Sequence, residues 1–424
     1  MGIYSTGDRM FIWRYTVSEI QLLIPDDKTY KIPNERLTSM NILTNYEDNA
    51  YPVFKIEIVL EPSLYYKIMK NKDTVQFHLR IQKYYNGVDN KTQSLKRDFI
   101  NDTFSLILDD EASDLTDVIK REDNKYNFKY VRKNDLTNVE EAHNKIEFFL
   151  FKTSTIKGLN TKNVNAILKD CTVTDAMAYV LSTAGVNNVL MSPSHNNQVY
   201  DNIIIPPMPC LKALRFLDTY YGIYKTGSMM FFDFTYSYIL QYDGKCTAYT
   251  QNEVQNTQIV IPTLRNGHST QCCTISKRTD LTSNYIVADY RTLDIRDDTI
   301  SNDIISDSNV KFINNYSGDV ELSLSRLSSD NSSYRIQENK TENRWLGDVF
   351  TSQTSAIGTV VTALLMDYDI NMVSPNKKLN LIFEDSALTS KYNGVYLLTS
   401  LNHNFVKEGS DFILNTEINM KKTK

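Results

Sequence analysis

The chain has 424 residues, enough for about three domains of roughly 150 residues or two larger ones. Its 41% hydrophobic and 23% charged residues sit near globular averages, which excludes a disordered or membrane-embedded chain. Lys plus Arg number 46 against 51 for Asp plus Glu, and the net charge of -5 offers no footprint for tight phosphate binding, so no nucleic acid is expected to be held specifically.

From the N-terminus to about Lys152 the apolar residues alternate with period two. Val75, Phe77, Leu79 and Ile81 fall on one face and Gln76, His78, Arg80 and Gln82 on the other, as in a half-buried antiparallel strand. Phe54, Ile56, Ile58 and Leu60 repeat the pattern, and Phe104–Leu108 and Ile146–Phe151 read as further strands. The charged stretch Asp109–Asp135 reads as a surface excursion or a small helix.

Near Thr153–Gly158 the period changes. Thr172 and Asp175 form a capping-box pattern, Ala176, Val180, Leu181 and Ala184 recur at helical spacing, and Gly185 supplies a left-handed stop. A second helix starts at Pro209, carries Leu211, Leu214, Leu217 and Tyr221 on one face, and ends before Gly222. Between them lies the apolar segment Ile203–Ile205, and Met229–Gln241 completes a small α/β module with one or two strands.

From Ile259 the chain returns to β character. Ser283–Tyr290 and Val320–Leu324 read as strands, while Arg296–Val310 and Ser325–Arg344 are rich in Asp, Ser and Asn and read as mobile loops. Ile357, Val361, Leu364 and Leu365 are spaced for one helix. Leu379–Phe383 and Val395–Phe405 follow as strands, and a turn over Val406–Ser410 leads to Asp411–Met420, where Phe412, Leu414, Thr416, Ile418 and Met420 share a face. The fold class is therefore mainly β with an α/β insert: a β-barrel-like domain over 1–152, the insert over 153–262, and a second β-barrel-like domain with one helix over 263–424. Glycine and proline together are about half as frequent as usual, so the turns must use Asn, Asp and Ser.

The search for chemistry returns little. Cys171, Cys210, Cys246, Cys272 and Cys273 form no C-x-x-C and read as reduced, mostly buried thiols; Cys272 and Cys273 point to opposite faces of any strand and make a poor metal pair. His78, His143, His195, His268 and His403 are scattered, and His78 and His403 fall on polar-facing strand positions that suit a solvated or interface role. No G-x-S-x-G elbow, phosphate-cradling loop or dinucleotide fingerprint occurs. The carboxylate clusters at Asp109, Asp110 and Glu111, at Asp294, Asp297 and Asp298, and at Glu384 and Asp385 read as solvated loop mouths, with a catalytic pair as the sharper alternative. No metal, cofactor, signal peptide or membrane span is expected; Gly2 and Thr6 fit the loose acylation pattern, but no polybasic patch follows to supply a second anchor.

Two stretches carry a family resemblance. Pro207–Phe234 ends a helix at a corner of Tyr221, Gly222 and Tyr224 and runs into Phe231, Phe232, Asp233 and Phe234. Lys377–Met420 places Tyr392, Gly394 and Tyr396 before Thr399, Ser400 and His403, then a hairpin and a last strand with Thr416 near its middle. Both resemble the baseplate hub proteins of contractile-tailed bacteriophages, related to the late control protein D family and to the hub portion of contractile injection-system spikes. One departure is that the usual Pro-Gly-Asp-like turn is replaced by Ser374, Pro375, Asn376 and Lys377.

The resemblance implies a homotrimer in which two barrel-like domains per chain form a pseudo-six-fold ring. Such a hub joins the tail tube or its initiator above to the central spike below, with wedge proteins as further neighbours. DNA passes through without specific binding, there is no membrane insertion, and the protein assembles in the host cytoplasm and resides in the virion tail. It implies no enzyme activity and no catalytic residues. A tail-associated cell-wall hydrolase and a receptor-binding or wedge protein are the competing readings; the chain's end at Lys424, just after the closing strand, is read as leaving no room for an appended lysin domain.

Overall fold

The computed structural model describes residues 11–25, 29–47, 49–87, 93–106, 144–224, 228–241, 256–261, 264–265, 268–269, 284–298, 310–314, 320–324, 358–366, 368–383 and 386–422. The first part contains β1 (Phe11–Leu23), β2 (Tyr30–Lys31), β3 (Leu37–Asn45), β4 (Val53–Leu60), α1 (Pro62–Lys70), β5 (Gln76–Gly87), β6 (Arg97–Leu106) and β7 (Asn144–Lys152). The middle contains β8 (Asn163–Cys171), α2 (Val173–Ala184), β9 (Val189–Met191), β10 (Tyr200–Pro209), α3 (Cys210–Tyr220), β11 (Ser228–Phe232) and β12 (Ser237–Gln241). The last part contains β13 (Asn256–Ile261), the short ribbon β14 (Leu264–Arg265) and β15 (His268–Ser269), β16 (Asn284–Asp298), the ribbon β17 (Val310–Asn314) and β18 (Val320–Leu324), β19 (Gly358–Met366), β20 (Lys378–Phe383), α4 (Ser386–Tyr392), β21 (Gly394–Glu408) and β22 (Asp411–Lys422).

The pairings close two rings. One runs β1, β5, β6, β7, β4, β3, β21, β22 and back to β1. The other runs β22, β19, β16, β13, β20, β21 and back to β22, with β13 parallel to both neighbours. The hairpin β21–β22 belongs to both, so residues before 152 do not close their barrel alone, and β13 belongs to the second barrel although it precedes the expected boundary at 262.

Period-two patterning explains the cores. Phe54, Ile56, Ile58 and Leu60 of β4 are buried together with Phe77, Leu79 and Ile81 of β5. In the second ring Ile259, Ile261, Val361, Ala363, Leu365, Leu379, Leu381 and Phe383 point inward, and one continuous apolar cluster runs through both barrels. β21 can face both interiors because its register shifts between Leu398 and Ser400. Tyr396 and Leu398 are buried beside β20, and after the bulge Leu401, His403 and Phe405 are buried beside β3.

Three expectations are corrected here. The helix read from Ile357, Val361, Leu364 and Leu365 is strand β19: Val360, Val361 and the flanking threonines suit a strand, and both edges pair, with β16 and with β22. Among the described residues the α-helix of this region is α4. His403 is not on a solvated position; it is 5% exposed, because the bulge reverses the inward phase of β21. His78 keeps its half-buried outer position. The Asp109–Asp135 and Ser325–Arg344 segments, Glu384, Asp385, Cys246, Cys272, Cys273, His143 and residues 299–309 lie outside the described residues; Arg296, Asp297 and Asp298, expected in a loop, are the end of strand β16, paired with β19 as Asp294 is.

The module folds as its caps dictate. The Thr172 side chain accepts from the Asp175 amide while the Asp175 carboxylate accepts from the Thr172 amide, and Gly185 ends α2 with φ 76°. Val173, Ala176, Met177, Val180 and Ala184 of α2 pack on Ala213, Leu214 and Leu217 of α3, over the antiparallel ribbon β8–β10. β12 pairs antiparallel with β11 and parallel with β9.

Candidate assembly site

The residues singled out by sequence fall into two groups, and each sits where separate parts of the fold are joined. The first lies between module and barrel. The Tyr221 ring stacks edge-on against Tyr200 at 5.1 Å, and Asn196 Nδ2 donates to the Tyr221 and Gly222 carbonyls at 3.0 and 2.9 Å, fixing the corner that Gly222 turns with φ 70°. The Tyr224 hydroxyl is shared between the carbonyls of Ser192 (2.8 Å) and Ile239 (3.0 Å). Burial pushes this phenol up, so it stays a neutral donor.

β11 then serves two cores, because its successive side chains face opposite ways. Phe231 packs edge-on against Tyr46 at 4.6 Å in the barrel cluster. Phe232 joins the module cluster beside Tyr51, and its amide donates to the Ala50 carbonyl at 2.7 Å. Phe234 returns to the barrel against Phe54 and Phe104. Asp233 holds the turn: its carboxylate accepts from the Phe234 amide at 2.7 Å, and its amide donates to the Tyr236 carbonyl at 2.9 Å. Desolvation pushes this carboxyl up to about 6. Lys152 donates to the Phe234 carbonyl at 2.6 Å and pairs with Asp102 at 2.8 Å.

The second group lies where the two barrels meet. The Tyr396 hydroxyl donates to the Tyr392 carbonyl at 2.7 Å, and the Tyr392 ring packs on Phe383. Gly394 has φ 150°, and a Cβ there would stand 3.3 Å from Lys422 Cε. His403 and Thr416 are cross-strand partners with Nδ1 and Oγ1 2.8 Å apart, and the Tyr368 hydroxyl donates to the same Oγ1 at 2.7 Å. Burial pushes the His403 imidazole down to about 3, so at neutral pH it is an uncharged hydrogen-bonding group. Thr399 Oγ1 donates to the Asn419 carbonyl at 3.0 Å beside the bulge. Ser374–Lys377 closes as a turn without glycine, the Lys377 amide donating to the Ser374 carbonyl at 3.0 Å.

The two groups are thus separate fastenings and not one pocket. Among the described residues no three His, Cys, Asp or Glu side chains converge as metal ligands would. His78 lines an open depression with Gln76, Asn101, Asp102 and Thr103, where Asp102 is already paired with Lys152. The expected list missed Tyr46, Asn196 and Tyr368, which hold these fastenings from distant parts of the chain. Only the unusual burial of their polar atoms reveals them, and no local spacing encodes that.

A family model described as bacteriophage PBS1 gene 109 protein matches residues 13–423. No curated protein matches the chain. Among solved structures, a tail protein from Neisseria meningitidis MC58 is similar with 12% identity, TM-score 0.45 and 96% of each chain covered. The 43 kDa tail protein of prophage MuSo2 from Shewanella oneidensis is similar with 12% identity, TM-score 0.44, and 95% of this chain and 97% of that chain covered. The E. coli c3393 protein, a component of the type VI secretion system, is similar with 9% identity, TM-score 0.39, and 95% of this chain and 77% of that chain covered.

Proposed function

The chain belongs to the family described as bacteriophage PBS1 gene 109 protein, and from that premise we propose that it is a structural hub of a phage tail baseplate. The observation that carries this reading is the pair of closed strand rings in one chain, joined through a shared hairpin. Three copies arranged around an axis present two rings each, a pseudo-six-fold ring with true three-fold symmetry. Such a ring can meet a six-fold tail tube on one side and a three-fold spike on the other, leaving an axial channel for DNA.

In this reading the eight-stranded and six-stranded rings are the two ring units, and the α/β module stands outside them. The fastening at His403–Thr416 holds the two ring units at a fixed relative angle, as closure of a heterologous ring demands, and the one at Phe231–Phe234 holds the module to the eight-stranded ring. The net charge of -5 favours passage of DNA over adhesion, since like charge repels phosphate. The protein assembles in the host cytoplasm and ends in the virion tail, where wedge proteins are its outer neighbours.

The test is negative-stain imaging of the purified protein, alone and with its neighbouring spike protein, classified by symmetry in top view. Three-fold rings with a central hole and six lobes are expected. Monomers that persist at high concentration and in the presence of the spike would overturn the ring mechanism.

A further inference from the structure

The α/β module carries a strand edge that no described residue covers. β8 pairs with β10 on one side only, and these two strands form a separate sheet. The outer edge of β10 is blunted: Pro206, Pro207 and Pro209 occupy three of its last four positions and have no N–H to offer, and a bulge separates Ile205 from Met208. β8, Asn163–Cys171, contains no proline, and the extra residue of the bulge lies on its partner. One edge of the ribbon is guarded against pairing and the other is left able to pair.

The side chains along β8 match that asymmetry. Asn163, Asn165, Ile167 and Lys169 are exposed on one face, and Ile167, 64% exposed, stands directly opposite Ile204, 54% exposed. On the other face Ala166 and Leu168 are only partly covered by the module core. An added strand would cover apolar surface on both faces while its main chain pairs with the open edge, the mode by which extended peptides add to sheets.

We propose that β8 is a docking edge for an extended segment of a different tail protein. That segment has β-branched residues where it meets Ile167, and an acidic residue beside Lys169 for charge complementarity. Symmetric antiparallel pairing of β8 with β8 of a second copy requires a two-fold axis, which a three-fold ring does not supply; the choice of a different protein therefore rests on the hub reading.

The test compares deuterium uptake of the peptide spanning 163–171 in the isolated chain and in purified tails. About half of the amides of an edge strand point outward, and these should exchange fast in the isolated chain and at least about tenfold more slowly in tails. Equal uptake in both would overturn the proposal, and so would protection that appears in the isolated chain as its concentration rises, because the edge would then belong to self-association. Absence of this chain's peptides from the tails would overturn the hub reading instead. A second arm uses I167P and L168P. Consecutive amides point to opposite edges, so one variant loses a bond to β10 and the other only an outward donor. The variant with a wild-type urea midpoint should enter tails at least about tenfold less well, and normal incorporation would count against docking at this edge.

Discussion

Phe231 and Phe232 are neighbours in β11, yet they belong to different cores, and replacing each by alanine separates the two. Both rings are fully buried, at 0% and 1% exposure. Truncating a buried phenylalanine costs about 3–5 kcal/mol through lost transfer energy and the cavity left behind. For Phe231 that includes the edge-on contact with Tyr46 at 4.6 Å, of the kind worth about 0.5–1.5 kcal/mol. Domains are stable by only about 5–15 kcal/mol, so either change should open its own region well before the whole chain. F231A should speed amide exchange in β3 and β11, around the Tyr46 contact, with α2 and α3 still protected. F232A should speed exchange in α2 and α3, whose core it completes with Leu214 and Leu217, with β3 and β4 less affected. Exchange mapped by mass spectrometry at a fixed mild urea concentration reads both. Identical maps for the two variants would refute the assignment of β11 to two cores.

H403Q removes a buried imidazole whose folded pKa lies near 3, below the unfolded value. In the wild type the stability present above about pH 6.5 should be lost as pH falls towards 3, because the unfolded chain binds the proton first; urea midpoints of the variant should be flatter across that window. D233N tests the opposite sign: the folded carboxyl titrates near 6, above its usual value, so wild-type stability should fall as pH rises from about 4 to 6, and the variant should gain most at pH 8 and least at pH 4. A G158A variant should disrupt the module, since its Cβ would stand 2.1 Å from the Ala184 carbonyl oxygen; loss of helical circular dichroism with the barrel amides still protected is the expected result. A G394A variant strains a positive-φ position beside Lys422 and should cost about 1–3 kcal/mol, read as a lower urea midpoint.

Local chemistry made much of this protein legible without its structure. Alternation in Phe54–Leu60 and Val75–Ile81 marks strands because side chains on a pleated backbone change face at every residue. Thr172, Asp175 and Gly185 bound α2 because the end of a helix needs side-chain acceptors and a left-handed exit, both supplied within a few residues. The Tyr221–Phe234 and Tyr392–Thr416 stretches stood out by their resemblance to a family and not by spacing alone. Each is a continuous piece of chain whose residue types are constrained by the turn and strand they build.

What the tertiary structure decided depends on partners distant in the chain. Gly358–Met366 became a strand because β16 and β22 stand on either side of it, and a helical spacing of apolar residues does not record which edges will be occupied. His403 was moved from surface to core by one bulge near Thr399, a single extra residue that reverses the inward phase of β21. The sharing of β21–β22 between two barrels, and the support of Thr416 by Tyr368 and of Phe231 by Tyr46, arise from hydrogen bonds and packing between residues far apart in the chain. Residue type and local spacing set which segments can be strands. Which strands meet, and which face becomes interior, is set by the closing of rings, a property of the whole chain.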